Sequence, residues 1–213
     1  MNWLSRLERK YGKYYIPNLT TVLVAGQILV YAIELFVNQF ITGYLGLNRF
    51  LLFAGQVWRL ITFVFIPFSG GGPISVILGI YFTWFVGTAL EKEWGDFRFN
   101  VYFFLGMLGT ILACLVTGVS ADTYCLSLSL LLAFAMLYPE VQVLLFFVIP
   151  VRVKYFGLFA AALWAFSFLT TSLTGKVYYL LCMLNFIAFF GPQAARSVRA
   201  WVRREQWKRK NRR

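Results

Sequence analysis

FVGTALEKEWGDFRFNVYFFLG, residues 85–106, decides how this chain is built. An apolar run enters it from residue 73 and another leaves it towards residue 118, and the only charges between those limits are Glu91, Lys92, Glu93, Asp96 and Arg98. A helix needs about 20 apolar residues to cross a bilayer, and each flank approaches that length. The stretch therefore predicts two spans, near 73–91 and 99–118, joined by a short charged turn that stays outside the hydrocarbon.

Runs of the same character recur near 20–37, 123–138, 155–172 and 177–191, each bounded by charge, Gly or Pro. The last is short for a span, as a helix held against neighbours can be. Hydrophobic residues make up 60% of the chain and aromatic residues 20%, against about 45–50% apolar in a soluble domain. One compact core cannot bury so much, so lipid must solvate the rest. The expected fold is an all-α membrane protein, a bundle of six transmembrane helices with a long interfacial first loop. It occupies one domain at 20–191, between a basic N-terminus at 1–19 and a basic tail at 192–213.

The net charge of +12 raises the question of nucleic acid, and RSVRAWVRREQWKRKNRR, residues 196–213, has the composition of a basic arm. Its position directly after an apolar run points instead to a cytoplasmic helix end that attracts anionic lipid headgroups. With the N-terminus inside, 17 Lys and Arg fall in inside segments and three, Arg49, Arg59 and Lys176, outside. Both termini are therefore expected in the cytoplasm, and nucleic acid is not expected as a partner.

Cys114, Cys125 and Cys182 lie within apolar runs without CxxC spacing, and the chain has no His. They read as packing residues, and neither a metal nor a cofactor is expected. The polar start MNWLSRLERKYGKYYIPN precedes a run that contains Glu34 and lacks a small-residue cleavage pattern, so the first run is expected to stay as a span.

Two connections are more than turns. Residues 38–72 are rich in Phe, Leu, Ile and Trp and should lie in the membrane interface, partly as short amphipathic helix. In PEVQVLLFFVIPVRVKYFG, residues 139–157, two prolines bracket an apolar run too short to cross. This segment is expected at the cytoplasmic face.

Three stretches together resemble the rhomboid and derlin superfamily. GQVWRLITFVFIP, residues 55–67, is similar to a first-loop signature in which Gly-x-x-Trp-Arg leads into a Thr and a run of aromatics. Residues 85–106 resemble the pattern of Gly, Leu-Glu, Gly and Arg-Phe that opens the third helix, here Gly87, Leu90, Glu91, Gly95, Arg98 and Phe99. FAMLYPEVQVLLFFVIPVRVKYFGLFAA, residues 134–161, looks like the segment that joins helices four and five in bacterial rhomboids. That likeness implies a bacterial plasma membrane, and no retention signal such as a terminal KDEL opposes it.

The resemblance breaks at the chemistry. Active rhomboids are alike in a Gly-x-Ser-Gly nucleophile motif on helix four, a His on helix six, and a His and an Asn on helix two. Here helix four reads ADTYCLSLSLLLAFAMLYP, residues 121–139, with the serine position falling near Tyr124, while the helix-two positions fall near Ser75 and Gly79. Helix six, KVYYLLCMLNFIAFFGP, has no His. A serine hydroxyl needs a base to take its proton, and losing such a unit costs on the order of a millionfold in rate. A pseudoprotease is therefore expected. The rival reading is a peptidase with a Ser-Lys pair, Ser127 or Ser129 with Lys176. Lys176 stands at a loop edge, where lysines commonly snorkel to water, and GKVYY also resembles a derlin stretch with His at the Lys position. A transporter is a third possibility, weakened because no charged cluster or paired broken helix marks a midplane site.

Trp58 and Arg59 admit two readings. They can fix the depth of an interfacial helix, the Trp at headgroup level and the Arg on phosphate. Resemblance to derlins and inactive rhomboids implies instead that the first loop holds client membrane proteins and thins the surrounding bilayer. Gly55 and Gln56 belong to the same motif, with Gly95, Arg98 and Phe99 as structural positions of the second one. Glu91 is expected to bond backbone groups of the loop that follows it, fixing the second and third helices together. Glu34 is expected to pair with a loop cation, Gly109 and Ala113 to let helices approach closely, and residues 69–72 to form a flexible entry to the second helix.

Overall fold

Each of the first five apolar runs folds as one helix. The structure, a computed structural model, describes residues 2–68, 72–145 and 149–191. The basic tail, with its expected lipid contacts, and most of the glycine-rich entry lie outside the described residues. Helix α1 (Asn2–Tyr11) precedes α2 (Leu19–Phe36), and the first loop holds three short helices, α3 (Ile41–Leu45), α4 (Arg49–Phe53) and α5 (Arg59–Thr62). Then come α6 (Pro73–Trp94), α7 (Asp96–Thr117), α8 (Tyr124–Leu137), strands β1 (Gln142–Leu145) and β2 (Ile149–Arg152), α9 (Val153–Thr170), α10 (Leu173–Cys182) and α11 (Leu184–Gly191).

Four helices, α2, α6, α7 and α9, are long and apolar enough to cross a membrane, and α10 with α11 makes a fifth if the bent pair is one span. Helix α8 has 14 residues, about 21 Å of rise, which is less than a typical hydrocarbon core of about 30 Å. The sixth run is not one straight helix as expected, because α10 and α11 meet at 57°. Just past the break the Asn185 side chain gives a backbone group its partner: its Oδ1 accepts the Phe186 amide at 2.8 Å. That amide would otherwise continue the helical ladder across the break.

Helix α7 is the centre of the bundle. Half of its apolar window is buried, against 17% for α9, so α9 is a peripheral helix that leaves most of its surface to lipid. Phe99, Tyr102, Phe103, Ala113 and Cys114 of α7 are buried. The expected close approach also appears on α7: a Cβ on Gly106 would strike Asn185 and Leu126, and one on Gly109 would strike the Leu181 carbonyl. The missing side chains let α10 and α11 lie directly on α7.

Polar residues set how the elements join at the end of the bundle that carries the α6–α7 turn. Gly95 turns the chain with φ +78°, a value that favours glycine, and Phe99 behind it is fully buried. Arg98 donates from Nε and Nη2 to Glu8 Oε2 at 3.0 and 2.8 Å, tying α1 to α7. Asn100 accepts from the Ile16 amide and donates to the Ile16 carbonyl, both at 3.0 Å. It thereby gives an extended segment the partners a neighbouring strand would supply.

Glu91 departs from expectation. It is buried beside Leu19 and Thr20, the first turn of α2, where aligned amides favour negative charge. The carboxylate therefore faces the start of α2 rather than the loop ahead of it.

The segment expected at a membrane face is a hairpin. Gln142 pairs with Arg152 and Val143 with Val151 in antiparallel register, and Tyr138 donates to Glu93 Oε2 at 2.8 Å. Lys154 and then Arg152, bonded at 2.9 and 2.8 Å, hold the Glu140 carboxyl below the usual carboxylate range. A lowered carboxyl stabilises the fold above its unfolded pKa, and the contribution disappears as pH falls through the lowered value. Acidification through the carboxylate range is therefore expected to reduce exchange protection of the Val153 amide, which donates to the Val141 carbonyl at 2.8 Å. Protection in Glu140→Gln should be lower from the outset and insensitive to that change. Equal acid sensitivity in the two proteins would reject this role.

Candidate functional site

At the opposite end of the bundle, the first loop is fastened to the α7–α8 connection. Leu47 and Ala121 exchange backbone hydrogen bonds at 3.0 and 2.9 Å, and Asn48 Nδ2 donates to Ser120 Oγ at 2.9 Å. Thr123 Oγ1 donates to the carbonyls of Phe63 and Ile66, the former at 2.9 Å. Leu47 and Phe63 are wholly buried. The first loop is thus a packed element with its own polar seams, and its short helices carry exposed Phe50, Phe53 and Ile61 on the outside.

The structure separates Trp58 from Arg59. Trp58 is half exposed, whereas Arg59 is 2% exposed. Arg59 Nε donates to Gln56 Oε1 at 2.7 Å, and Nη1 donates to the carbonyls of Gly43, at 2.9 Å, and Gly46. Those carbonyls lie within and just after α3, where helix-end oxygens lack intrahelical donors. Gly55, at φ +96°, reverses the chain so that Gln56 and Arg59 face α3 from one turn. The expectation that this guanidinium sits among headgroups is therefore corrected: it is consumed inside the loop because five donors in a planar fork suit two carbonyls and an amide oxygen. Nothing in the sequence distinguishes an arginine held by backbone carbonyls from one held by phosphate.

Beside this loop lies a cleft of 680 Å³, bounded by the last turns of α2, the first turns of α6 and α8, and the segment before residue 69. Tyr31, Glu34, Phe68, Asp122 and Tyr124 are among its lining. Glu34 has no hydrogen-bond or ion-pair partner among the described residues, so the expected loop cation does not reach it. Tyr124 stacks obliquely on Phe68 with ring centroids 5.9 Å apart, and its amide donates to Asp122 Oδ1 at 2.8 Å.

The family model for the rhomboid domain matches residues 54–191. The chain belongs to the rhomboid family. Among curated proteins none matches it.

In this rhomboid, Tyr124, expected from the sequence near the position of the family serine, lines the cleft. Ser75 donates to the Gly72 carbonyl at 2.8 Å, and Gly79 packs against the Phe68 backbone, where a Cβ would not fit. Ser129 is fully buried. Its hydroxyl donates to the Leu126 carbonyl at 2.9 Å and accepts from Asn185 Nδ2 at 2.9 Å, while Tyr102 donates to its carbonyl at 2.8 Å. The amide facing Ser129 is a donor and cannot take a proton. Ser127 is half buried on the same helix, and Lys176 is half buried in the first turn of α10, with no hydrogen bond joining the two.

Asn185 and Asn100 are the polar residues that matter here and were not singled out in advance. A lone amide within CMLNFIAFF was the available signal for Asn185, since polar groups at membrane depth are seldom without purpose. Cys125 and Cys182 pack with Ala113, and Cys125 lies 3.7 Å from the Tyr178 hydroxyl. All three thiols are free and buried.

Proposed function

We propose that this rhomboid is a catalytically inactive membrane protein that holds other membrane proteins and reshapes the bilayer around them. One observation carries the reading: the buried serine of α8 faces the donor end of Asn185; beside it we take Tyr124 to stand at the family's nucleophile position. Acyl transfer needs a hydroxyl, a base to accept its proton and donors for the oxyanion. The chain has no His, and the Ser129 hydroxyl donates to the Leu126 carbonyl, a backbone oxygen that cannot act as its base.

In this reading α8 and the α10–α11 pair complete six crossings, with both termini in the cytoplasm of a bacterium and the first loop at the outer interface. Helix α8 crosses despite its length because its neighbours cover it. Exposed Trp58, Phe50 and Phe53 offer clients a contact surface, a part that buried Arg59 does not share. The basic tail meets anionic headgroups on the inner face.

Two measurements test it. Purified protein incubated with a transmembrane substrate of active rhomboids is expected to leave it intact, and Ser127→Ala with Ser129→Ala should change nothing. Cleavage that vanished in that double variant would establish the Ser-Lys alternative with Lys176. Photocrosslinking in membranes is expected to capture single-span proteins and to lose most of the yield in Trp58→Ala. Undiminished capture would remove Trp58 from the client surface.

A further inference from the structure

The cleft beside the first loop carries its own chemistry. The chain holds 20 Lys and Arg against eight Asp and Glu, yet two carboxylates, Glu34 and Asp122, line the cleft and none of the Lys or Arg among the described residues does. Asp122 is engaged by the Tyr124 amide. Glu34 is half buried and has no hydrogen-bond or ion-pair partner among the described residues, which leaves its charge available to a ligand in the cleft. Around these groups stand the rings of Tyr31, Phe68 and Tyr124, of which the last two form an oblique corner.

We propose that the cleft binds an organic ammonium group, presented by a phospholipid headgroup or by a free amine. Aromatic faces attract a cation within about 6 Å of their centroids, most strongly when water is excluded. A carboxylate lining the same cleft supplies the full countercharge. Ring walls serve an alkylated ammonium better than a hard metal ion, which requires six or more oxygen ligands when it is calcium-sized. The volume of 680 Å³ lies within the range of about 300–1,000 Å³ usual for small-ligand sites. This inference rests on the cleft alone and stands whether or not the protein holds clients.

The test uses the full chain in nanodiscs of phosphatidylglycerol, which lacks an ammonium. Tetramethylammonium chloride, compared with sodium chloride at equal ionic strength, is expected to raise the thermal unfolding midpoint of the wild type. Glu34→Gln and Phe68→Leu, both of which should unfold cooperatively without ligand, are expected to weaken the apparent affinity by about tenfold each. A second arm uses nanodiscs containing equal phosphatidylethanolamine and phosphatidylglycerol. There, native mass spectrometry should find phosphatidylethanolamine retained on the wild type and displaced by tetramethylammonium if the source is lipid. Retention of neither lipid in preference, with the soluble shift intact, assigns a free amine. Absence of both effects, or effects of equal size in folded Glu34→Gln, overturns the proposal.

Discussion

Arg59→Ala is expected to lower the stability of the folded protein by about 4 kcal/mol, read as a shift in its unfolding by denaturing detergent. The substitution removes the guanidinium from part-buried hydrogen bonds to the carbonyls of Gly43 and Gly46 and to the amide oxygen of Gln56, and a hydrogen bond to a charged group contributes about 1.5–3 kcal/mol. Arg59→Lys should recover only part of this, because one ammonium cannot fork to three oxygens from the same stem. Trp58→Ala, at a half-exposed position, should fall within about 0.5 kcal/mol of the wild type. A loss below about 1 kcal/mol in Arg59→Ala would show that the loop does not depend on this side chain. The comparison separates two neighbours that one sequence motif treats as a unit.

The second large effect belongs to the helix interface. Gly109→Val should cost about 2–3 kcal/mol, since the new Cβ meets the Leu181 carbonyl, which belongs to backbone and cannot swing aside. The damage should appear as loosened packing of α10 on α7, read by faster alkylation of Cys182, which is now buried. Wild-type alkylation rates and an unchanged unfolding midpoint would mean that the two helices separate without penalty. Gly43→Val is the control, because a Cβ there has open space around it.

Much of the bundle is legible because lipid imposes a simple rule: an apolar run of sufficient length must satisfy its own backbone and becomes a helix. The charges from Glu91 to Arg98 mark the α6–α7 turn to within a few residues. Helix α1 escapes the same reasoning because it is short and mostly polar, and buried Leu4 and the Glu8–Arg98 pair help to hold it in place. The hairpin is hidden too. A brief apolar run between prolines fits a strand as well as a buried helix, and periodicity does not arbitrate.

At the candidate site the resemblance to the family could be read, but the contacts of the residues there could not. Glu91 was recognisable as a carboxylate at a helix end with a backbone-bonding role, while its neighbour, the start of α2, lies some seventy residues earlier in the chain. Asn185 resembles any polar interruption until Ser129 is seen opposite it. Contacts of this kind depend on which helices are adjacent, and the local pattern of one helix does not encode its neighbour.

The seam between Leu47 and Ala121 also bears on biogenesis. As the chain leaves the ribosome, the first loop emerges long before its fastening partners at Ala121 and Thr123, so a nascent chain halted after α6 carries that segment unfinished. Insertion of the fourth apolar run is the event that completes it. Truncations ending before residue 121 would therefore expose a protease-sensitive segment that the finished protein conceals.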